Sequence, residues 1–247
     1  MEDVTIPSAS ETNLPFDDRR QAGRRLAAAL RRFSAGEPLV LALPRGGVPV
    51  AFEVAEALGA ELDLILVRKI GAPGHAEYGI GAVVDGPEPQ FVLNEEAVRL
   101  IRPSPDYIEA EKSRQLEEIE RRRRVYRQGR PAIPVTGRTV IVVDDGIATG
   151  GTMRAVLQAL RQAAAGRIVL AVPVAPADAL AELSALADET VCLATPEPFR
   201  AVGLHYRDFE QTTDEEVVRL LDATRRRPAN PSAASSRTLT LRGANNR

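Results

Sequence analysis

The sequence predicts an α/β fold: a mainly parallel central sheet flanked by helices. Three observations carry this. Short continuous apolar runs at 39–43 (LVLAL), 139–143 (TVIVV) and 167–172 (RIVLAV) read as strands buried on both faces. Segments with apolar residues every three or four positions alternate with them, as helices covering a sheet do. Two of the runs end in glycine-bearing loops, "PRGG" at 44–47 and "DDGIATGGT" at 144–152. In such folds ligands sit at the carboxyl ends of the strands.

In chain order, residues 1–15 are polar and read as a flexible arm. In 17–33, Ala22, Leu26, Leu30 and Phe33 mark one face of a helix whose other face is arginine-rich. The strand of 39–43 leads through 44–47 into a helix over 48–59, stopped by Gly59. A strand at 62–67 precedes a loop over 68–79, and 80–84 and 91–94 read as strands around a Gly/Pro turn. Asn94 caps a short helix through Ile101. Ser104, with Pro105 behind it, opens a long helix to about Gln128, so 95–128 is a helical insertion. Glu117, Glu118 and Glu120 stand four residues before Arg121, Arg122 and Arg124, the favoured polarity for ion pairs. After 139–143 come a helix over 150–164, the strand of 167–172, a helix over 176–186 and a strand at 189–194. Thr213 and Glu216 form a capping box for a last helix to about Ala223. The tail, 224–247, holds six arginines and no acid, and reads as disordered. One domain over 16–223 is expected.

Composition excludes several classes. A formal net charge of −2 leaves no basic footprint for nucleic acid. The run Arg121–Arg124 is largely neutralised by its glutamates and reads as a solvated helix face. The lone Cys192 rules out an internal disulfide and fits a reducing compartment. No apolar run suits a membrane span or a signal peptide. A cytoplasmic protein is expected. Arginine dominates the basic residues, and Lys69 and Lys112 are the only lysines.

The chemistry concentrates at 139–152. Asp144 and Asp145 follow a buried strand, and Ala148, Thr149, Gly150, Gly151 and Thr152 follow them into a helix start. A helix start offers unpaired N–H groups and a positive dipole end to an anion. No lysine follows the glycines, so this is not a Walker A loop. Paired carboxylates beside a phosphate cradle suit a polyol phosphate, since each accepts hydrogen bonds from a hydroxyl.

These residues resemble the phosphoribosyl diphosphate motif of type I phosphoribosyltransferases, and "DDGIATGGTM" is similar to adenine phosphoribosyltransferases in particular. The resemblance implies that Asp144 and Asp145 hold the ribose 2- and 3-hydroxyls, with Mg²⁺ held by them indirectly or through the substrate. It implies that residues 148–152 hold the 5-phosphate. Arg45, Gly46 and Gly47 would bind diphosphate, with Arg68 and Lys69 on the same side. Asp144, Asp145, Arg45 and Lys69 would carry catalysis. The loop 70–79 resembles the family's flap, with His75 and Glu77 as groups that face the nucleophile. The segment 195–212 would form a hood, its Phe199, Tyr206 and Phe209 placed to stack on an acceptor base. Family members acting on 6-oxopurines carry an acid where this chain has Ala148, which argues against such an acceptor.

The function expected is therefore transfer of ribose 5-phosphate from phosphoribosyl diphosphate to a nitrogenous acceptor, with release of diphosphate. The alternative is a non-catalytic regulator that senses such metabolites, its basic tail on nucleic acid. A metal-dependent phosphoesterase lacks the histidine and further acid such sites need. The long helix suits either homodimerisation or covering the site.

Overall fold

A computed structural model describes residues 3–5, 14–86 and 89–225. The tail beyond 225 lies outside the described residues. The elements run β1 (Asp3–Thr5), α1 (Arg19–Ala29), β2 (Leu39–Ala42), α2 (Gly47–Leu58), β3 (Glu61–Leu64), β4 (Val67–Ala72), β5 (His75–Val84) and β6 (Gln90–Leu93). They continue α3 (Glu95–Ile101), α4 (Pro105–Arg127), β7 (Thr139–Val143), α5 (Gly151–Gln162), β8 (Arg167–Val174), α6 (Ala177–Ser184), β9 (Glu189–Ala194) and α7 (Asp214–Arg225).

Six parallel strands form the main sheet in the order β1-β9-β8-β7-β2-β3. Its central strands are buried on both faces, which explains their unbroken apolar runs. Alternate residues serve opposite cores. Val40, Ala42, Ile141 and Val143 pack with α1, α2 and α7, while Leu39, Leu41, Val140 and Val142 pack with α5 and α6. Register places β2 directly beside β7, Ala42 opposite Val143. The loops leaving these two strands therefore emerge side by side.

Three expectations change. The arm contains β1, an edge strand on β9. Three residues carry no periodic signal, and this strand exists through its pairing. The segment 68–79 is not a loop. It is most of a hairpin in which β4 pairs antiparallel with β5, and β6 completes a second, three-stranded sheet. Pro73 and Gly74 make the turn, Gly74 at φ +73°. Glycines within the strands erase the alternation that would reveal them. The strand predicted at 62–67 ends at Leu64, and Val67 already belongs to the hairpin.

The helical segment after β6 is two helices. Asn94 caps α3 through the amides of Glu96 and Ala97, and Ser104 caps α4 through that of Tyr107. Ile119 and Tyr126 bury the inner face of α4. Its arginines are not all solvated. Arg121 and Arg122 share Glu118, but Arg123 and Arg127 reach the buried Asp85. The described residues contain no helix long and apolar enough to cross a membrane.

Candidate functional site

The site is built at the junction of β7 and α5. Asp144 and Asp145 leave the carboxyl end of β7, and Gly150 caps α5. Gly150 sits at φ +75°, a conformation that side chains resist. Ala148, Thr149 and Gly151 are exposed, and a Cβ on Gly151 would meet nothing within 4 Å. The start of α5 is thus open at Gly151, and an anion-receiving helix start needs such room beside its first amides.

The loop after β2 packs directly on the acid pair. A Cβ on Gly47 would come 2.9 Å from Asp144 Cα and from Val143 O. A Cβ on Gly46 would come 2.7 Å from Asp145 Cγ. Both positions must be glycine for the loops to meet. The Pro44–Arg45 peptide between them and β2 is cis. The two motifs legible in the sequence are therefore one surface.

Asp144 accepts from the amide of Asp145 at 2.8 Å and stays partly exposed. Burial, and then the charge of Asp145, push its carboxyl well above the usual carboxylate range. Burial also raises Asp145, and Arg19 opposes that rise. Two adjacent carboxylates resist full ionisation. Asp145, which has the guanidinium, is the member that holds the charge.

Arg19 is the residue that sequence reasoning missed. Its Nε donates to Asp145 Oδ2 at 2.7 Å, and Nη1 donates to the carbonyl of Glu210 at 2.7 Å. The guanidinium lies 3.8 Å over the Phe209 ring. In the sequence Arg19 belongs to an arginine-rich helix face, 126 residues from its partner. Only the meeting of α1 with the hood reveals it.

The hood segment and the start of the domain are laced together. Phe16 N donates to His205 O, Arg207 N to Phe16 O and Asp208 N to Asp17 O. Tyr206 corrects an expectation. It is 6% exposed, and its hydroxyl donates to the carbonyl of Asp145 at 2.5 Å. Burial raises its hydroxyl far above the usual range. Its ring packs on Phe16 and Phe209, so it supports the acid pair and offers no open face. Phe199 is half-buried against the His205 ring at 5.0 Å. Phe209 keeps an exposed edge at 36%.

The predicted cations are dispersed. Arg45 pairs with Asp214 at 3.5 Å, at the start of α7, where Tyr126 also donates to that carboxylate. Arg68 and Lys69 sit on β4, not at the end of a sheet strand. With His75, Tyr107, Glu111, Arg114 and Gln115 they line a cavity of about 600 Å³ that neither aspartate lines. Arg68 donates to Gln115 there, and burial and Arg122 lower its pKa. His75 is exposed at the hairpin turn. Glu77 lies on β5, and its side chain is outside the described residues.

Among the described residues no group of three or more His, Cys, Asp or Glu could hold a metal ion. At the junction the acid pair supplies the carboxylate oxygens, and its suppressed ionisation is what a divalent cation relieves. The pair would serve Mg²⁺ only as a partial ligand set, and the remaining oxygens would have to be supplied by a bound substrate or water.

The model of the phosphoribosyl transferase domain matches residues 17–207, which includes α1, the acid pair and the hood through Tyr206. A Mycobacterium tuberculosis protein named "Putative phosphoribosyl transferase Rv0571c" is 49% identical over 211 residues, 85% of this chain. The match covers 47% of that protein, so the chain spans about half the length of this relative. The crystal structure of TT1426 from Thermus thermophilus is 47% identical, covers 84% of this chain and 98% of its own, and superposes with a TM-score of 0.73. The β7–α5 junction, with its paired acids before the start of α5, thus lies wholly within the matched region, and the chain belongs to the phosphoribosyl transferase domain family.

Proposed function

We propose that this protein transfers ribose 5-phosphate from phosphoribosyl diphosphate to a nitrogenous acceptor other than a 6-oxopurine, releasing diphosphate. The observation that carries this is the single β-to-α junction. It presents Asp144 and Asp145 directly after β7 and within one short loop of an unobstructed helix start at Gly151.

The chain's own groups divide the work. The amides of residues 149–152 and the hydroxyls of Thr149 and Thr152 hold the 5-phosphate. Asp144 and Asp145 accept from the ribose 2- and 3-hydroxyls and fix the sugar's orientation. Displacement at the anomeric carbon forms the bond to nitrogen and breaks that to diphosphate. Positive charge builds on the ring meanwhile, which an adjacent carboxylate stabilises. Bound Mg²⁺ would neutralise charge on the departing diphosphate. The hood excludes water that would otherwise take the activated carbon. Absence of an acid at Ala148 leaves no partner for the N–H edge of a 6-oxopurine.

The test is calorimetric titration of Mg²⁺ and phosphoribosyl diphosphate, followed by a diphosphate-release assay over a panel of nucleobases. Binding is expected in the wild type and is lost in Asp144→Asn/Asp145→Asn with the fold intact. Undiminished affinity in that variant would overturn the assignment of the site. Binding without release for any base would favour a sensor.

A further inference from the structure

In the ligand-free site Arg19 already engages Asp145 at Oδ2, so a ribose diol must compete with a guanidinium for that carboxylate. The pair is close and sheltered: 2.7 Å, with the side chains 11% and 14% exposed. Arg19 is also held from behind, by the Glu210 carbonyl and the Phe209 ring, so its stem and plane have a resting place independent of Asp145. Its position is informative. Nε contacts the same Oδ2 against which Gly46 packs, so the guanidinium lies beside the 44–47 loop. That loop's own cation, Arg45, is engaged by Asp214, and Arg68 and Lys69 line a different cavity.

We propose that Arg19 is a counter-ion exchange residue. Without ligand it neutralises Asp145. When the sugar diphosphate binds, the guanidinium turns from Asp145 to the diphosphate, which frees the carboxylate for the ribose hydroxyls. This rests on the function proposed above and adds the cation on the leaving-group side.

Physical chemistry favours exchange over simple displacement. A sheltered guanidinium stripped of its counter-ion is strongly disfavoured, so the ligand that releases Arg19 must offer it another anion. A diphosphate presents oxygens that match the guanidinium fork, and a neutral hydroxyl pair does not. Ribose 5-phosphate alone would therefore bind against the resistance of the Arg19–Asp145 pair. Phosphoribosyl diphosphate would bind with Arg19's help. The exchange discriminates the activated sugar from its hydrolysis product at the carboxylate that holds them both.

The experiment titrates ribose 5-phosphate, inorganic diphosphate and phosphoribosyl diphosphate, each with Mg²⁺, into the wild type, Arg19→Ala and Arg19→Gln. The glutamine keeps part of the packing on Phe209, and circular dichroism confirms the fold of each variant. Both variants are expected to bind ribose 5-phosphate more tightly, by about fivefold, and inorganic diphosphate more weakly, by about tenfold, the scale of one charge-assisted contact. Unchanged or weakened ribose 5-phosphate binding would show that Arg19 does not obstruct the diol. Unchanged diphosphate affinity would show that it does not turn to the leaving group. Either result overturns the exchange while leaving the function proposed above intact. Failure of wild type and variants alike to bind ribose 5-phosphate or phosphoribosyl diphosphate would sink both readings together.

Discussion

Gly46 lies so close to Asp145 that a Cβ on residue 46 would overlap its carboxylate, 2.7 Å from Cγ. A methyl group there must move the acid or the loop. Gly46→Ala is therefore expected to lower stability by ~1–3 kcal/mol, the usual range for overpacking, and to remove sugar binding even where the protein is fully folded. Gly151→Ala is the contrast, because its Cβ points into open space. That variant should keep or slightly raise stability, since alanine suits a helix better than glycine, yet weaken ribose 5-phosphate binding by filling the cradle. Urea unfolding with calorimetry separates the two effects. Equal stability losses would refute the packing account.

Asp144 makes the ligand-free site a stability liability. Its folded pKa is raised, by burial first and by Asp145 second. Below the unfolded value of about 4 both states are protonated and the group has no effect. As pH rises above that value the unfolded state ionises first, so folding stability falls until the folded pKa is passed. Asp144→Asn removes this penalty. The variant should unfold at a higher temperature than wild type at neutral pH, with the difference vanishing below about pH 4. It should also lose sugar binding. A neutral-pH melting temperature at or below wild type would refute the direction of the shift.

The parts legible in sequence are those with local causes. The β7–α5 junction is contiguous, and its residue types state their chemistry through strand, acids, glycines and helix start. The central strands are legible because double burial leaves an unbroken apolar run. The hairpin is not, because Gly71, Gly79 and Gly81 interrupt its alternation and its partner strand is itself irregular, with register shifts at Ile70/Gly71 and Gly71/Ala72. The roles of Arg19 and Tyr206 are hidden for another reason. Each acts through a contact with Asp145 made across the fold, 126 and 61 residues away, and no pattern near either residue encodes it.

Tyr206 gives the third prediction. Its hydroxyl is the hood's direct bond to the acid pair's backbone, at the carbonyl of Asp145. Tyr206→Phe keeps the ring contacts with Phe16 and Phe209 but leaves that sheltered carbonyl without this donor. A stability loss of ~1–2 kcal/mol is expected. A supporting role predicts that affinity for the sugar phosphate falls, while the variant's preference among nucleobases stays that of the wild type. A changed base preference would return Tyr206 to the acceptor-stacking role.

The last prediction concerns what holds α4 against the hairpin sheet. Asp85, at the end of β5, is buried at 2% side-chain exposure. It takes Arg127 at 3.0 Å and both Nε and Nη2 of Arg123. Arg127 also donates to the Leu64 carbonyl and approaches the equally buried Asp63 at 3.5 Å. The buried Arg127 guanidinium leaves water only on condition of these partners, while Arg123 stays partly exposed. Deleting one carboxylate strands charge in the interior, a change that costs ~3–5 kcal/mol where a pair is buried. Asp85→Ala should therefore be among the most damaging single substitutions outside the apolar core. Glu120→Ala serves as the control, since its pair with Arg123 stands at 51% exposure on the carboxylate side. An exposed pair of this kind contributes ~0–1 kcal/mol. Chemical denaturation of the two variants should give losses differing severalfold. Comparable losses would mean that α4 is held by its apolar face at Ile119 and Tyr126, with the ion cluster adding nothing beyond a surface bridge.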